Sequence, residues 1–133
     1  MSQDIVELIQ TEVYGNFEAG NFEGVVNAFA DNIRYHHQGP SASIPFAGVW
    51  EGKAAVAEML QTFGSTTEPV FVEIKAFVAQ GDRVVVLSRE SYRVRATGKS
   101  YETEVAHIWT VQDGKVVACD ELYDSAAVAA AFS

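Results

Sequence analysis

Three residues able to exchange protons or fix a charge, Arg89, His107 and Glu121, fall on three successive β-prone runs within residues 83–124. Thr97-Gly98-Lys99 and Asp113-Gly114-Lys115 separate those runs, and connections this short force antiparallel neighbours. Hairpin pairing is then expected to bring all three side chains to one face of a sheet. Upstream, Ile33-Arg34-Tyr35-His36-His37 alternates as a short strand, which puts Tyr35 and His37 on one face and His36 on the other. Histidine titrates near neutral pH without help, and a buried glutamate is readily raised towards it. A set of this kind suits proton transfer at a carbon beside a carbonyl. Arg89 facing Glu121 would hold the carboxylate ionised and favour a base role. The alternatives are a purely structural Arg89–Glu121 ion pair and a hydrogen-bonded core histidine at 107.

The elements that must position these groups are legible in outline. Over residues 2–18, Ile5, Ile9, Val13 and Phe17 recur as the stripe of a one-sided buried helix, with Ser2 and Asp4 suited to its first turn. Ala19-Gly20-Asn21 reads as a stop followed by the cap of a second helix, whose buried face would be Phe22, Val25, Val26 and Phe29, closed by Asp31-Asn32. Residues 39–48, with Pro40 and Pro45, read as an irregular loop rimmed by Ile44, Phe46 and Trp50. Gly52-Lys53 leads into a third helix with Val56, Leu60 and Phe63 as its stripe. Four β-prone runs follow, at 70–79, 84–96, 100–112 and 116–123, and the alanine-rich 125–132 closes the chain as a short helix. The order predicts one α+β domain over residues 1–133, with three N-terminal helices packed on the concave face of a curved antiparallel sheet.

Composition narrows the function classes. The 133 residues are 48% hydrophobic and fit one domain with a single core. Eighteen acidic residues against nine basic give a formal charge of -9, with the basic residues scattered, so neither nucleic acid nor an anionic membrane is an expected partner. Cys119 is the sole cysteine, which excludes an intrachain disulfide and fits a reducing compartment. An acid at position 4 and the lack of a long apolar run point to a cytoplasmic protein. No metal-ligand spacing is present, and neither a metal nor a cofactor is expected.

Ala19-Gly20-Asn21-Phe22, Phe29-Ala30-Asp31-Asn32, Trp50-Glu51-Gly52-Lys53, Ala106-His107-Ile108-Trp109, Asp113-Gly114-Lys115-Val116 and Leu122-Tyr123-Asp124 together cover nearly the whole chain. In that order they resemble the nuclear transport factor 2-like superfamily of cone-shaped α+β domains, which includes ketosteroid isomerases, SnoaL-like polyketide cyclases and limonene epoxide hydrolase. The resemblance places the isomerase base at His37 and the oxyanion-hole acid at His107. The oxyanion tyrosine falls at Val13, with Tyr14 one step off and expected to point elsewhere. Against the epoxide hydrolase, the central arginine matches Arg89, its flanking aspartates match Glu121 and Ser91, and its water-holding tyrosine and asparagine match Tyr35 and His37. The acid/base aspartate of the cyclases also lands on Glu121.

The resemblance implies a cone cavity binding a small apolar molecule, with isomerisation, cyclisation or hydration driven by His37, His107, Glu121 and Arg89. Tyr35, Phe46, Trp50 and Phe63 are expected to line it, joined by Leu87, Ser91, Trp109 and Tyr123 from the meander. A non-catalytic binding or dimerisation module is the alternative, with a cavity filled by Phe46, Trp50 and Trp109 and with Arg89 neutralising Glu121. Epoxide hydrolysis is a third, requiring a second carboxylate such as Glu90 or Glu104 to reach Arg89. Both faces of the meander are partly apolar, so homodimerisation through the sheet is expected as well.

Overall fold

The computed structural model describes residues 2–133. Helix α1 (Ser2–Leu8) runs without a break into a π-helical segment (Ile9–Gly15) and a last turn, α2 (Asn16–Glu18). Asp4 lies in the first turn, where the helix dipole favours it; the Ser2 side chain, also suited to that turn, is outside what the structure describes. Gly20 adopts a left-handed φ of 72° and ends the helix, and Asn21 then caps α3 (Phe22–Asn27) by accepting from the Gly24 N–H at 3.0 Å. The predicted stop and cap are therefore in place.

The second helix ends earlier than its apolar spacing suggests. Phe29 is not on the helix but opens strand β1 (Phe29–His37), where it pairs with Val116. A register irregularity between Phe29 and Arg34 absorbs Asp31-Asn32 as a bulge in the strand instead of a helix stop. The loop of residues 38–47 brings Ile44 and Phe46 into the core, almost fully buried, and is followed by a short strand, β2 (Gly48–Glu51). Helix α4 (Lys53–Thr66) then leads into β3 (Thr67–Gln80), β4 (Arg83–Val94), β5 (Ser100–Gln112) and β6 (Lys115–Tyr123). The Asp113-Gly114 turn between β5 and β6 has φ of 52° and 74°, the doubly positive pattern whose twist matches an antiparallel hairpin. Helix α5 (Ser125–Phe132) is capped by Asp124, which accepts from the Ala127 N–H.

The six strands form one sheet in the order β2-β1-β6-β5-β4-β3. All neighbours are antiparallel except β1 and β6, which run parallel and join the N-terminal third of the chain to its end. Irregularities at Pro69/Phe71 and Ile74/Ala76 bend β3, and the sheet curves without closing. Ile9, Val13, Val25, Val56 and Met59 from the helices meet Tyr35, Val84, Val86 and Trp109 from the inner face to form the core. This is the α+β curved sheet that the sequence implies. No helix among the described residues is long and apolar enough to cross a membrane.

Candidate active site

Register decides which side chains enter the concavity. Val86 lies opposite His107, and His107 opposite Glu121, so the two ionisable residues share the inner face. On β1, His37 lies opposite Glu121 and Tyr35 opposite Cys119, which places both beside the carboxylate. The Glu121 carboxylate is the hub. Its Oε1 accepts from the Tyr35 hydroxyl at 2.6 Å and lies 3.1 Å from His107 Nε2, while Oε2 lies 3.2 Å from His37 Nε2. All three partners are nearly buried.

Burial alone would push the Glu121 carboxyl up, but His37 and His107 override it and hold the group well below the ordinary carboxylate range. For His107 burial works against the charged form, yet Glu121 beside it raises the imidazole above its ordinary value. The buried Tyr35 hydroxyl is pushed well up, so it stays a donor.

Hydrogen-bond bookkeeping separates the two histidines. The Tyr123 hydroxyl stands between the Gln38 carbonyl and His37 Nδ1, which lies 3.0 Å from the Tyr123 oxygen. His37 Nε2 lies 3.2 Å from the Glu121 carboxylate, so both its ring nitrogens have partners within the protein. His107 has freedom. Its Nδ1 lies 2.9 Å from the Tyr14 hydroxyl, which accepts from Trp109 Nε1–H at 3.0 Å. Tyr14 can donate to a neutral His107, or accept from a protonated one and turn its own proton elsewhere.

Tyr14 reaches this position through the π-helix. The wider turn shifts the phase of the face, so Tyr14 packs edge-on against His107 and Trp109 while Val13 remains buried in the core. The expectation that Tyr14 points elsewhere is thereby corrected.

A cavity of about 80 Å³, measured as space open to the centre of a water molecule, lies against this cluster. That is room for several waters or a ligand of roughly one ring. Tyr14, Tyr35, His37, Glu90, His107 and Glu121 supply its polar wall, and Val25, Phe29, Met59, Phe63 and Trp109 belong to its apolar wall. Phe46 stands behind it, edge-on to His37 at 4.8 Å and to Phe63 at 4.9 Å, and with Tyr123 lines a smaller adjoining space. Gly39, at φ 117°, lets the loop pass where a Cβ would come within 3.0 Å of the Tyr123 hydroxyl.

Four expected site residues lie elsewhere. Arg89 has the opposite parity to Glu90 on β4 and projects from the outer face, where it pairs with Glu102 and, at 3.3 Å, Glu104. It therefore does not meet His107 or Glu121. Glu104 does reach Arg89, but on the face away from the cavity, so an arginine flanked by carboxylates is not part of this site. Leu87 shares the outer face and is 41% exposed. Ser91 also has that parity and does not line the cavity, although it is covered. Trp50 sits on β2, donating its indole N–H to the Phe46 carbonyl at 3.0 Å, and stays outside the cavity. Among the described residues, no cluster of three or more His, Cys, Asp or Glu is placed to hold a metal ion.

A six-stranded curved sheet with helices over its concave face and a buried acid–histidine cluster beneath them defines an α+β cone with a ligand-sized interior. The SnoaL-like domain model matches residues 11–119, and the chain belongs to that family, within the nuclear transport factor 2-like superfamily. An NTF2-like protein from Burkholderia xenovorans LB400 is similar at 29% identity, with a TM-score of 0.90 over 100% of this chain and 98% of that one. A second NTF2-like protein, from Burkholderia thailandensis E264, is 26% identical, with a TM-score of 0.83 over 94% and 95% of the two chains. TerC, co-crystallised with polyporic acid, shares the fold at 22% identity, with a TM-score of 0.80 over 96% of each chain. No functionally curated protein matches the sequence.

Proposed function

We propose that the cavity binds a small, largely apolar carbonyl compound and moves a proton on it, as an isomerase or cyclase does. The observation that carries this reading is the carboxylate of Glu121 held between two imidazoles, one of them, His107, free to change its proton count through Tyr14. A C–H proton beside the carbonyl passes to the Tyr14 oxygen as the Tyr14 proton passes to His107 Nδ1. The resulting imidazolium is stabilised by Glu121, and the enolate electrons stay on the substrate. Burial pushes the Tyr14 hydroxyl well up, which favours a concerted relay over a free phenolate. His37 and Tyr35 hold Glu121 in place. Return of the proton to a second carbon isomerises the ligand, and attack of the enolate on a second carbonyl, with the proton returned through Tyr14 to the new alkoxide, cyclises it. A protein of this fold, TerC, has been crystallised with polyporic acid.

The test is deuterium exchange at the α-carbons of cyclohexanone in D₂O, followed by NMR. Exchange above the buffer rate is expected with the native protein, and at least a tenfold loss is expected in Tyr14→Phe and Glu121→Gln. Exchange indifferent to both changes would remove the relay. The same reading includes pairing of two copies through the outer sheet face, where Leu87 and Leu122 are 41% and 42% exposed; a monomeric mass in solution would remove that part.

A further inference from the structure

One acid on the cavity wall takes no part in the relay. Glu90 is only 8% exposed and lines the cavity, with its Oε2 accepting from the buried Ser88 hydroxyl at 2.7 Å. Among the described residues its other oxygen, Oε1, has no hydrogen-bond partner, and no lysine or arginine is within ion-pair reach of the carboxyl. The strand explains why. Arg83, Arg89 and Arg93 all have the outer parity, so β4 sends its cations out and its carboxyl in. Glu90 pairs with Thr103, four residues along β5 from His107, so it occupies a different part of the wall from the relay.

We propose that Glu90 is the recognition group of the cavity, donating a hydrogen bond from its free oxygen to an acceptor oxygen of a neutral carbonyl ligand. The inference rests on the reading of the cavity as a ligand site. A carboxylate this little exposed and without a cation beside it would be costly, whereas the protonated acid needs only one acceptor in return for its proton. Burial raises the Glu90 carboxyl above its ordinary value, in spite of the histidines nearby. The titratable groups facing it are His107 from β5, Glu121 from β6, His37 from β1 and the tyrosines at 14, 92 and 101. Glu121, ionised between imidazoles, and Glu90, neutral beside a serine, thus give one cavity two carboxyl groups with opposite roles. The preferred ligand is neutral and ring-sized, with its carbonyl oxygen at Glu90.

Two probes of the same shape test it: acetophenone, which carries the acceptor, and ethylbenzene, which does not. Binding is read from the fluorescence of the tryptophans, Trp109 being in the wall. Glu90→Leu is expected to weaken acetophenone about tenfold, one hydrogen bond's worth, and to leave ethylbenzene within about twofold. Glu90→Gln keeps a donor N–H while its carbonyl takes the place facing Ser88, so acetophenone affinity should stay within about threefold of native. Native affinity for acetophenone should fall as rising pH ionises Glu90, and the Glu90→Gln protein should not show that fall. Equal losses for both probes, or a pH profile unchanged in Glu90→Gln, would overturn the role of Glu90 while leaving the cavity as a ligand site. A native protein that binds neither probe would remove both readings.

Discussion

Two clusters of the sheet that pair carboxylates with basic side chains, one around Arg89 and one around Glu121, lie on opposite faces and behave as different chemistry. Outside, Arg89 meets Glu102 and Glu104 with nearly half of each side chain, or more, in solvent. Inside, Glu121 meets His37 and His107 with 12% or less of any of the three side chains exposed. Water screens the first and supplies alternatives to every contact. The second has no such alternative, so each partner's protonation state depends on the others. Acidic and basic groups are close in both, and only the buried set lines the cavity.

The harshest break is Glu121→Ala, which leaves two imidazoles and the Tyr35 hydroxyl without their acceptor. A loss of about 3–5 kcal/mol is expected in denaturant unfolding. Its pH dependence follows from the directions of the shifts. His107 is raised when folded, so its contribution is complete below its ordinary value of 6.5 and fades as pH rises through the raised value. Glu121 is lowered when folded, so its contribution is present above 4.5 and fades as pH falls through the lowered value. Both act together between 4.5 and 6.5, where the loss should be greatest. Tyr35→Phe removes one donor from a carboxylate that keeps two, and about 1.5 kcal/mol is expected by the same measurement. Arg89→Ala should leave the unfolding midpoint and its pH profile unchanged. A shift comparable with that of Tyr35→Phe would erase the distinction between the two faces.

Some of this was readable from the residues because local chemistry decided it. Gly20-Asn21 and Asp113-Gly114 specify their turns by φ preference and side-chain capping, whatever the rest of the chain does. Phe29 was misplaced because Phe22, Val25, Val26 and Phe29 make a sound helical stripe, and only pairing with Val116, far along the chain, overrides it. The parity of β4 was ambiguous from its apolar residues, since Val84 and Val86 lie on one face and Val85 and Leu87 on the other. Its arginines carried the signal: 83, 89 and 93 share one parity, and three guanidinium groups do not enter one small core. That rule places Arg89 outside and Glu90 inside. Tyr14 had a fainter mark. Ile5, Ile9, Val13 and Phe17 recur every four residues with no step of three, a pattern that drifts around a 3.6-residue helix and that the wider π-turn brings back.

The parallel seam between β1 and β6 also bears on how the molecule forms. Tyr35 and Glu121 are 86 residues apart in sequence, so their contact closes a loop of nearly two-thirds of the chain. Closing a flexible loop of that length costs about 4 kcal/mol of chain entropy, far more than the β3–β4 and β4–β5 hairpins require. The meander can therefore assemble from near neighbours, while the seam waits for distant partners to meet. The hydrogen bonds from β1 to Glu121 can form only once that seam has closed.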